Sequence, residues 1–126
     1  MDTKAKILIV DDDLGVLSTL SEILEMEGYS TVAQAANGLE GLEKYKELRP
    51  DLVLMDMDMP VMDGYESSRE IKAFDPEANI LILTGNPTAI QAQKTLEEGY
   101  AAILLKKPVK WAELGRIIRS YCAIAA

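Results

Sequence analysis

The sequence predicts an α/β fold of the (βα)5 kind, a doubly wound, five-stranded parallel sheet with helices on both faces. Three observations carry this. Five short runs rich in apolar and β-branched residues recur along the chain: KILIV (6–10), STVAQ (30–34), LVLM (52–55), NILIL (79–83) and AAILL (101–105). Between and after them lie segments whose apolar residues repeat at helical spacing. The connections are short, so each helix must carry the chain back across the sheet. That makes neighbouring strands parallel and their crossovers right-handed.

Taken in order, the first run is apolar on both faces, as a central strand requires. The first helix, 14–28, sets Val16, Leu20, Ile23 and Leu24 on one side and stops at Gly28. The second run alternates through Thr31 and Gln34, which suits an edge. Helix 37–50 lines up Leu39, Leu42 and Tyr45 before a proline stop. The third run is a second central strand, followed by a weaker helical pattern over 63–73 with Tyr65, Ser68, Arg69 and Ile71. The fourth run is central too. Pro87 then opens a helix that Gly99 ends. The fifth run is more apolar than an edge demands, and helix 109–122 follows with Leu114, Ile117, Ile118 and Tyr121.

The 126 residues favour a single domain, 1–126, with no output domain beyond it. Such a length buries a core without a disulfide or structural metal. Cys122 is the only cysteine, so no internal disulfide forms and a cytoplasmic setting is natural. No apolar stretch approaches the ~18 residues of a membrane span, and ILIV is too short for a signal-peptide core. A net charge of −8 argues against direct nucleic-acid binding and favours a basic partner or a bound cation. Histidine is absent, so any chemistry rests on carboxylates, hydroxyls and lysine.

The polar residues fall where the strands end. Asp11, Asp12 and Asp13 follow the first run, Asp56 the third, Thr84 and Gly85 the fourth, and Lys106, Lys107 and Pro108 the fifth. In a parallel sheet these ends share one edge, where ligands of open α/β sheets bind. Clustered carboxylates repel unless a cation or proton lies among them. Oxygen donors without histidine or thiolate suit Mg2+. With a lysine and a hydroxyl opposite, the set reads as phosphoryl transfer to a carboxylate.

From end to end the chain resembles the receiver domain of two-component response regulators. The resemblance is carried by ILIVDDD (7–13), DLVLMDMDMPVMDG (51–64), ILILTG (80–85) and KP (107–108), in that order at the matching strand ends. It implies a flavodoxin-like strand order, 2-1-3-4-5. It also implies that Asp56 accepts a phosphoryl group from a phosphohistidine on a sensor histidine kinase or phosphotransfer protein. Asp11 and Asp12 would hold Mg2+ with Asp56 and the backbone carbonyl of Asp58. Lys107 would pair with the phosphate, and Thr84 would move towards it. That movement would switch the face built from the fourth helix, fifth strand and fifth helix, which would signal to a downstream protein or form a homodimer. On this reading the chain is a phosphoacceptor, at most self-catalysing its phosphorylation and dephosphorylation, and no enzyme.

Several positions have a plainer reading. Asp13 precedes a helix and is expected as its N-cap rather than a ligand; Pro60 and Gly64 are expected to shape the loop after Asp56, and Asp63 to cap the helix that directly follows it. Met55, Met57, Met59 and Met62 are expected in core and loop packing. Apart from one lysine, the group Lys106, Lys107, Lys110, Arg116 and Arg119 is expected as a solvated face, and Trp111 as partly buried packing. The family usually carries Tyr or Phe three positions before the lysine of Lys-Pro. Here Leu104 stands there, or Ile103 if the count runs from Gly99 and selects Lys106. Lys107 is preferred because the Lys-Pro bond, expected to be cis, sets the turn. Asp58, two after Asp56, adds a carboxylate near the incoming phosphate.

Other functions fit the same residues less well. MDMDMP resembles the nucleophile motif of haloacid-dehalogenase-type phosphatases, but Pro60 replaces the usual Thr or Val and the paired acids precede the nucleophile. A flavodoxin-type FMN carrier needs a phosphate-cradling first loop, and DDDLG repels phosphate. A non-phosphorylated pseudo-receiver used for docking is disfavoured by the complete acceptor set.

Overall fold

A computed structural model describes residues 5–122. Residues 1–4 and 123–126, the ends of the expected domain 1–126, lie outside them. Strands β1 (Lys6–Val10), β2 (Ser30–Ala35), β3 (Leu52–Met55), β4 (Ile80–Thr84) and β5 (Ile103–Lys106) alternate with helices α1 (Leu14–Met26), α2 (Gly38–Leu48), α3 (Gly64–Phe74), α4 (Ile90–Glu97) and α5 (Trp111–Tyr121). All strand pairs are parallel and the order is β2-β1-β3-β4-β5, as the resemblance implied.

The two-residue period of the strands sorts the core into two layers. Ile7, Ile9, Leu52, Leu54, Leu81 and Leu83 face Leu17, Leu24, Leu114 and Ile118 of α1 and α5. Leu8, Val10, Val53, Met55, Ile80 and Ile82 face the other way, with Leu42, Tyr45, Tyr65, Ile71 and Ala92 of α2, α3 and α4. Met55 and Met57 are buried, and Met59 and Met62 pack partly buried against the second layer, as expected of core methionines. Trp111 is likewise half-buried and lies against Gly115.

Some expectations shift. The inward face of α1 is led by Leu17 and Leu24, with Val16, Leu20 and Ile23 only half-buried. Leu39, placed on the inward face of its helix by spacing, is 40% exposed. Gly38, Gly41, Leu42 and Tyr45 are the buried side. The fourth helix begins at Ile90, not at Pro87, because residues 86–89 form a loop held by Thr88 Oγ1 donating to Asn86 Oδ1 and Ala89 N to Asn86 O. Run 5 is indeed an edge. Its apolar character follows from cover on both faces: Leu105 joins the α1/α5 layer and Leu104 packs against the other.

The opposite edge, β2, is irregular. Its register with β1 shifts between Ile7 and Leu8. Two glutamates take up outward amides there: Thr31 N donates to Glu25 Oε2 at 2.7 Å and Ala36 N to Glu40 Oε1 at 3.1 Å. Tyr45 of α2 donates its hydroxyl to Asp75 Oδ2, just past α3, at 2.7 Å.

Candidate functional site

Strand order reverses between β1 and β3, so the chain leaves their carboxyl ends in opposite directions and opens a crevice there. Asp11 and Asp56 are the first residues beyond these two strands. Backbone bonds fix both positions: Asp11 N donates to Ala35 O at 2.9 Å and Asp56 N to Val10 O at 2.8 Å. Both side chains are buried, whereas Asp12 is exposed at the mouth. Asp11, Asp12 and Asp56 each offer a carboxylate oxygen, and these atoms all lie within 4.8 Å of one another.

Lys107 reaches in from the end of β5. Its Nζ donates to Asp11 Oδ2 at 2.6 Å and to Asp56 Oδ1 at 3.1 Å. The other oxygen of Asp11 accepts from Asp13 N at 2.9 Å, so Asp11 is engaged on both sides. Lys106 is the exposed last residue of β5. Lys107 follows it and is tied by its own N–H to Thr84 O at 2.8 Å, and the Lys107–Pro108 bond is cis. Of the two lysines the sequence left in question, the structure thus places Lys107 in the crevice. The remaining basic residues, Lys110, Arg116 and Arg119, are exposed.

The electrostatics follow from crowding. Burial and the neighbouring Asp11 charge push the Asp56 carboxyl up to about 6, despite the opposing Lys107 ammonium. Burial alone would lower the Lys107 pKa, but its bond to Asp11 and the charges of Asp56 and Asp11 hold it above the ordinary value. Thr84, at the end of β4, is buried, and its Oγ1 accepts from Asn86 N at 3.1 Å. Leu104 is half-buried in β5, and Asp58 is exposed beyond Asp56.

Asp13 and Asp63 are helix caps as expected. Asp13 Oδ1 accepts from Gly15 N and Val16 N at 2.8 and 3.3 Å, and Asp63 Oδ1 from Glu66 N at 2.8 Å. Gly64 shapes the loop after Asp56 as expected, but sequence reasoning missed its second anchor, Gly38. A β-carbon on Gly64 would stand 2.2 Å from Asp56 O, and one on Gly38 would stand 2.3 Å from Met62 O. Gly64 N donates to Met57 O and Gly38 N to Met62 O, both at 2.9 Å, so the loop is clasped by backbone from two helices. The Asn37-Gly38 pair before α2 was the available signal, with Asn37 capping that helix by accepting from Glu40 N.

Within this clasped loop Val61 sits at φ 70° and is 75% exposed. A β-branched residue in that region is strained. Val61→Asn is expected to raise stability by about 1 kcal/mol, since Asn tolerates the left-handed region. A urea midpoint at or below that of the parent chain would contradict this.

A carboxylate trio facing an ammonium at the switch point of a parallel sheet defines a class of protein, one built to handle a cation and an anionic group together. Comparison with known proteins gives the family. The model of the response regulator receiver domain matches residues 7–119, and the chain belongs to that family. Sporulation initiation phosphotransferase F of Bacillus subtilis is 40% identical over 116 residues, 92% of each chain. The chemotaxis protein CheY of Thermotoga maritima is 36% identical over 101 residues, 80% of this chain and 84% of that one. Among solved structures, the receiver domain of a Pseudomonas aeruginosa sensor histidine kinase, with magnesium coordinated in its active site cleft, superposes at a TM-score of 0.84. It is 31% identical, with 94% of this chain and 97% of that one covered. CheY of Borrelia burgdorferi, in a complex with CheX, BeF3 and Mg2+, gives 0.85 at 30% identity, with 92% and 87% covered. The protein is thus a phosphoacceptor signalling switch of a two-component system. Among the described residues no helix is long and apolar enough to cross a membrane.

Proposed function

We propose that Asp56 is the phosphoacceptor, served by Mg2+ and Lys107, and that the phosphoryl group comes from a phosphohistidine on a sensor kinase or phosphotransfer protein. The observation that carries this reading is the ion-pair geometry. Lys107 spans Asp11 and Asp56, so one ammonium faces the oxygen that would attack and the carboxylate beside it.

The donor set fits the cation, being three carboxylates with no nitrogen or sulfur ligand. Asp11, Asp12 and Asp56 would hold it, joined by the Asp58 carbonyl. When bound, Mg2+ neutralises charge on carboxylate and phosphoryl oxygens. The chain's own residues do the rest. The clasp on the loop presents the Asp56 oxygen for in-line attack on phosphorus. The P–O bond forms as the P–N bond to the donor imidazole breaks, and the imidazole leaves with that electron pair. Lys107 neutralises charge on the phosphoryl oxygens. Thr84 turns its hydroxyl from Asn86 towards the phosphoryl group, and the α4, β5 and α5 surface changes for a downstream protein or a second copy of the chain. Leu104 offers no aromatic ring to follow Thr84.

Intact mass after incubation with Mg2+ and a small-molecule phosphodonor tests the assignment. The parent chain is expected to gain one phosphoryl group and Asp56→Ala none. A gain in both would move the acceptor elsewhere. Asp58, exposed beside the loop, sets the phosphoryl lifetime on this reading. Asp58→Asn should dephosphorylate at a different rate from the parent, and equal rates would remove Asp58 from the account.

A further inference from the structure

Helix α4 is held very unequally at its two ends. Its N-cap is Ala89, which offers no side-chain bond, and Ile90 is 82% exposed. The loop before it hangs on Thr84, whose Oγ1 accepts the Asn86 amide at 3.1 Å. Nothing lies within 4 Å of the place a β-carbon on Gly85 would occupy, so this end has room to move. The other end is tied to α3 by one side chain. Tyr65 donates its hydroxyl to Glu98 Oε1 at 2.6 Å, its ring lies 4.9 Å under Lys94 Nζ, and it meets Tyr100 edge-on at 5.9 Å. Lys94 and Glu98 approach to 4.0 Å. Thr95, fully buried, sets its Oγ1 3.9 Å from Met57 Sδ, one residue past Asp56. Tyr65 itself directly follows Gly64, where a β-carbon would stand 2.2 Å from Asp56 O.

We infer that Tyr65 is a pivot: it fixes the C-terminal end of α4 to the acceptor loop, so that release of the Thr84–Asn86 bond swings the N-terminal end of α4 about Glu98. The inference rests on the reading of Asp56 and Thr84 proposed above, but the pin is separable from it. In this chain the helix end, rather than a ring in β5, carries the change outward, which gives a route for the signal where Leu104 has no aromatic group. The swing presents Ile90 and Gln91, both exposed, at a new angle to a partner.

Residue-resolved amide exchange tests it on the full chain in Mg2+, with and without beryllofluoride, the group held with Mg2+ in the Borrelia burgdorferi relative. Without beryllofluoride, Tyr65→Phe is expected to speed exchange at residues 95–98 about tenfold or more, the loss of a hydrogen bond to a charged group. Tyr45→Phe, which cuts a similar tyrosine–carboxylate bond at Asp75, should leave these residues unchanged. In the parent chain, beryllofluoride should alter exchange at 86–93 and spare 95–98. Unchanged exchange at 95–98 in Tyr65→Phe overturns the pin. Equal perturbation of both halves by beryllofluoride overturns the swing. If beryllofluoride leaves the parent chain's melting temperature and every amide unchanged, the site reading fails and takes the swing with it, while the pin is still decided by Tyr65→Phe alone.

Discussion

In metal-free buffer the folded chain is expected to lose roughly 1–3 kcal/mol of stability as the pH rises from about 4 to 6, the reverse of the usual behaviour of an acidic protein. The sign follows from Asp56. Its folded pKa, pushed up to about 6, lies above the ordinary 3.8 of the unfolded chain. Between those values the folded state binds the proton more tightly, so each step up in pH favours unfolding; above the upper value the penalty is complete. Asp75, held below the ordinary carboxylate range by the Tyr45 hydroxyl, acts only as the pH falls under 3.8 and leaves this window clear. Asp56→Asn is expected to flatten the profile and to be the more stable protein at pH 7 without metal. Mg2+ should do the same for the parent chain, adding about 2.7 kcal/mol at a hundred times its dissociation constant. Urea unfolding at a series of pH values, with chelator and then with Mg2+, measures all three curves. A parent chain equally stable at pH 4 and pH 7 in chelator would defeat the account of the crowded carboxylates.

Gly64→Ala is expected to cost about 3 kcal/mol or more and to abolish phosphorylation at the same time. The added methyl would meet Asp56 O at 2.2 Å, Met57 Cα at 2.9 Å and Asp56 C at 3.0 Å, all of them backbone. No rotamer relieves such contacts, so either α3 or the acceptor loop must move. Gly85→Ala is the matched control, since its methyl meets nothing within 4 Å, and it should shift stability by less than about 0.5 kcal/mol. Denaturant midpoints of the two variants, with phosphoryl uptake by intact mass, separate the effects. A Gly64→Ala protein as stable as the parent would show that the clasp is loose.

The sheet was legible because a strand buried on both faces must be apolar throughout, and β1 and β3 match their runs residue for residue. The carboxylates, Thr84 and Lys107 were legible because they stand at strand ends, which a parallel sheet brings to one edge. The start of α4 was not. Pro87 reads as a helix opener, yet the loop spends Asn86 on bonds to Thr84 and Thr88 and delays the helix to Ile90. Leu39 misled because spacing cannot tell that the glycines on the neighbouring face, 38 and 41, are the ones pressed inward: a β-carbon on Gly41 would stand 2.9 Å from Val10 Cγ2. Gly64 was legible as a shaper of the acceptor loop, but the Gly38 half of the clasp was not, since backbone meeting backbone leaves no hydrophobic signature. The choice between Lys106 and Lys107 turned on where β5 stops, and a count of residues from Gly99 does not give that.

The glutamates along β2 bear on what the molecule does in company. A free strand edge is a template on which a second chain can grow a sheet. Here Glu25 and Glu40 occupy the amides at either end of that edge, and the register shift breaks its regularity between them. An incoming strand would find an uneven ladder with two of its donors already taken, and would meet carboxylates first. Copies of this protein crowded together are therefore guarded along β2 against fibril-like growth from that edge.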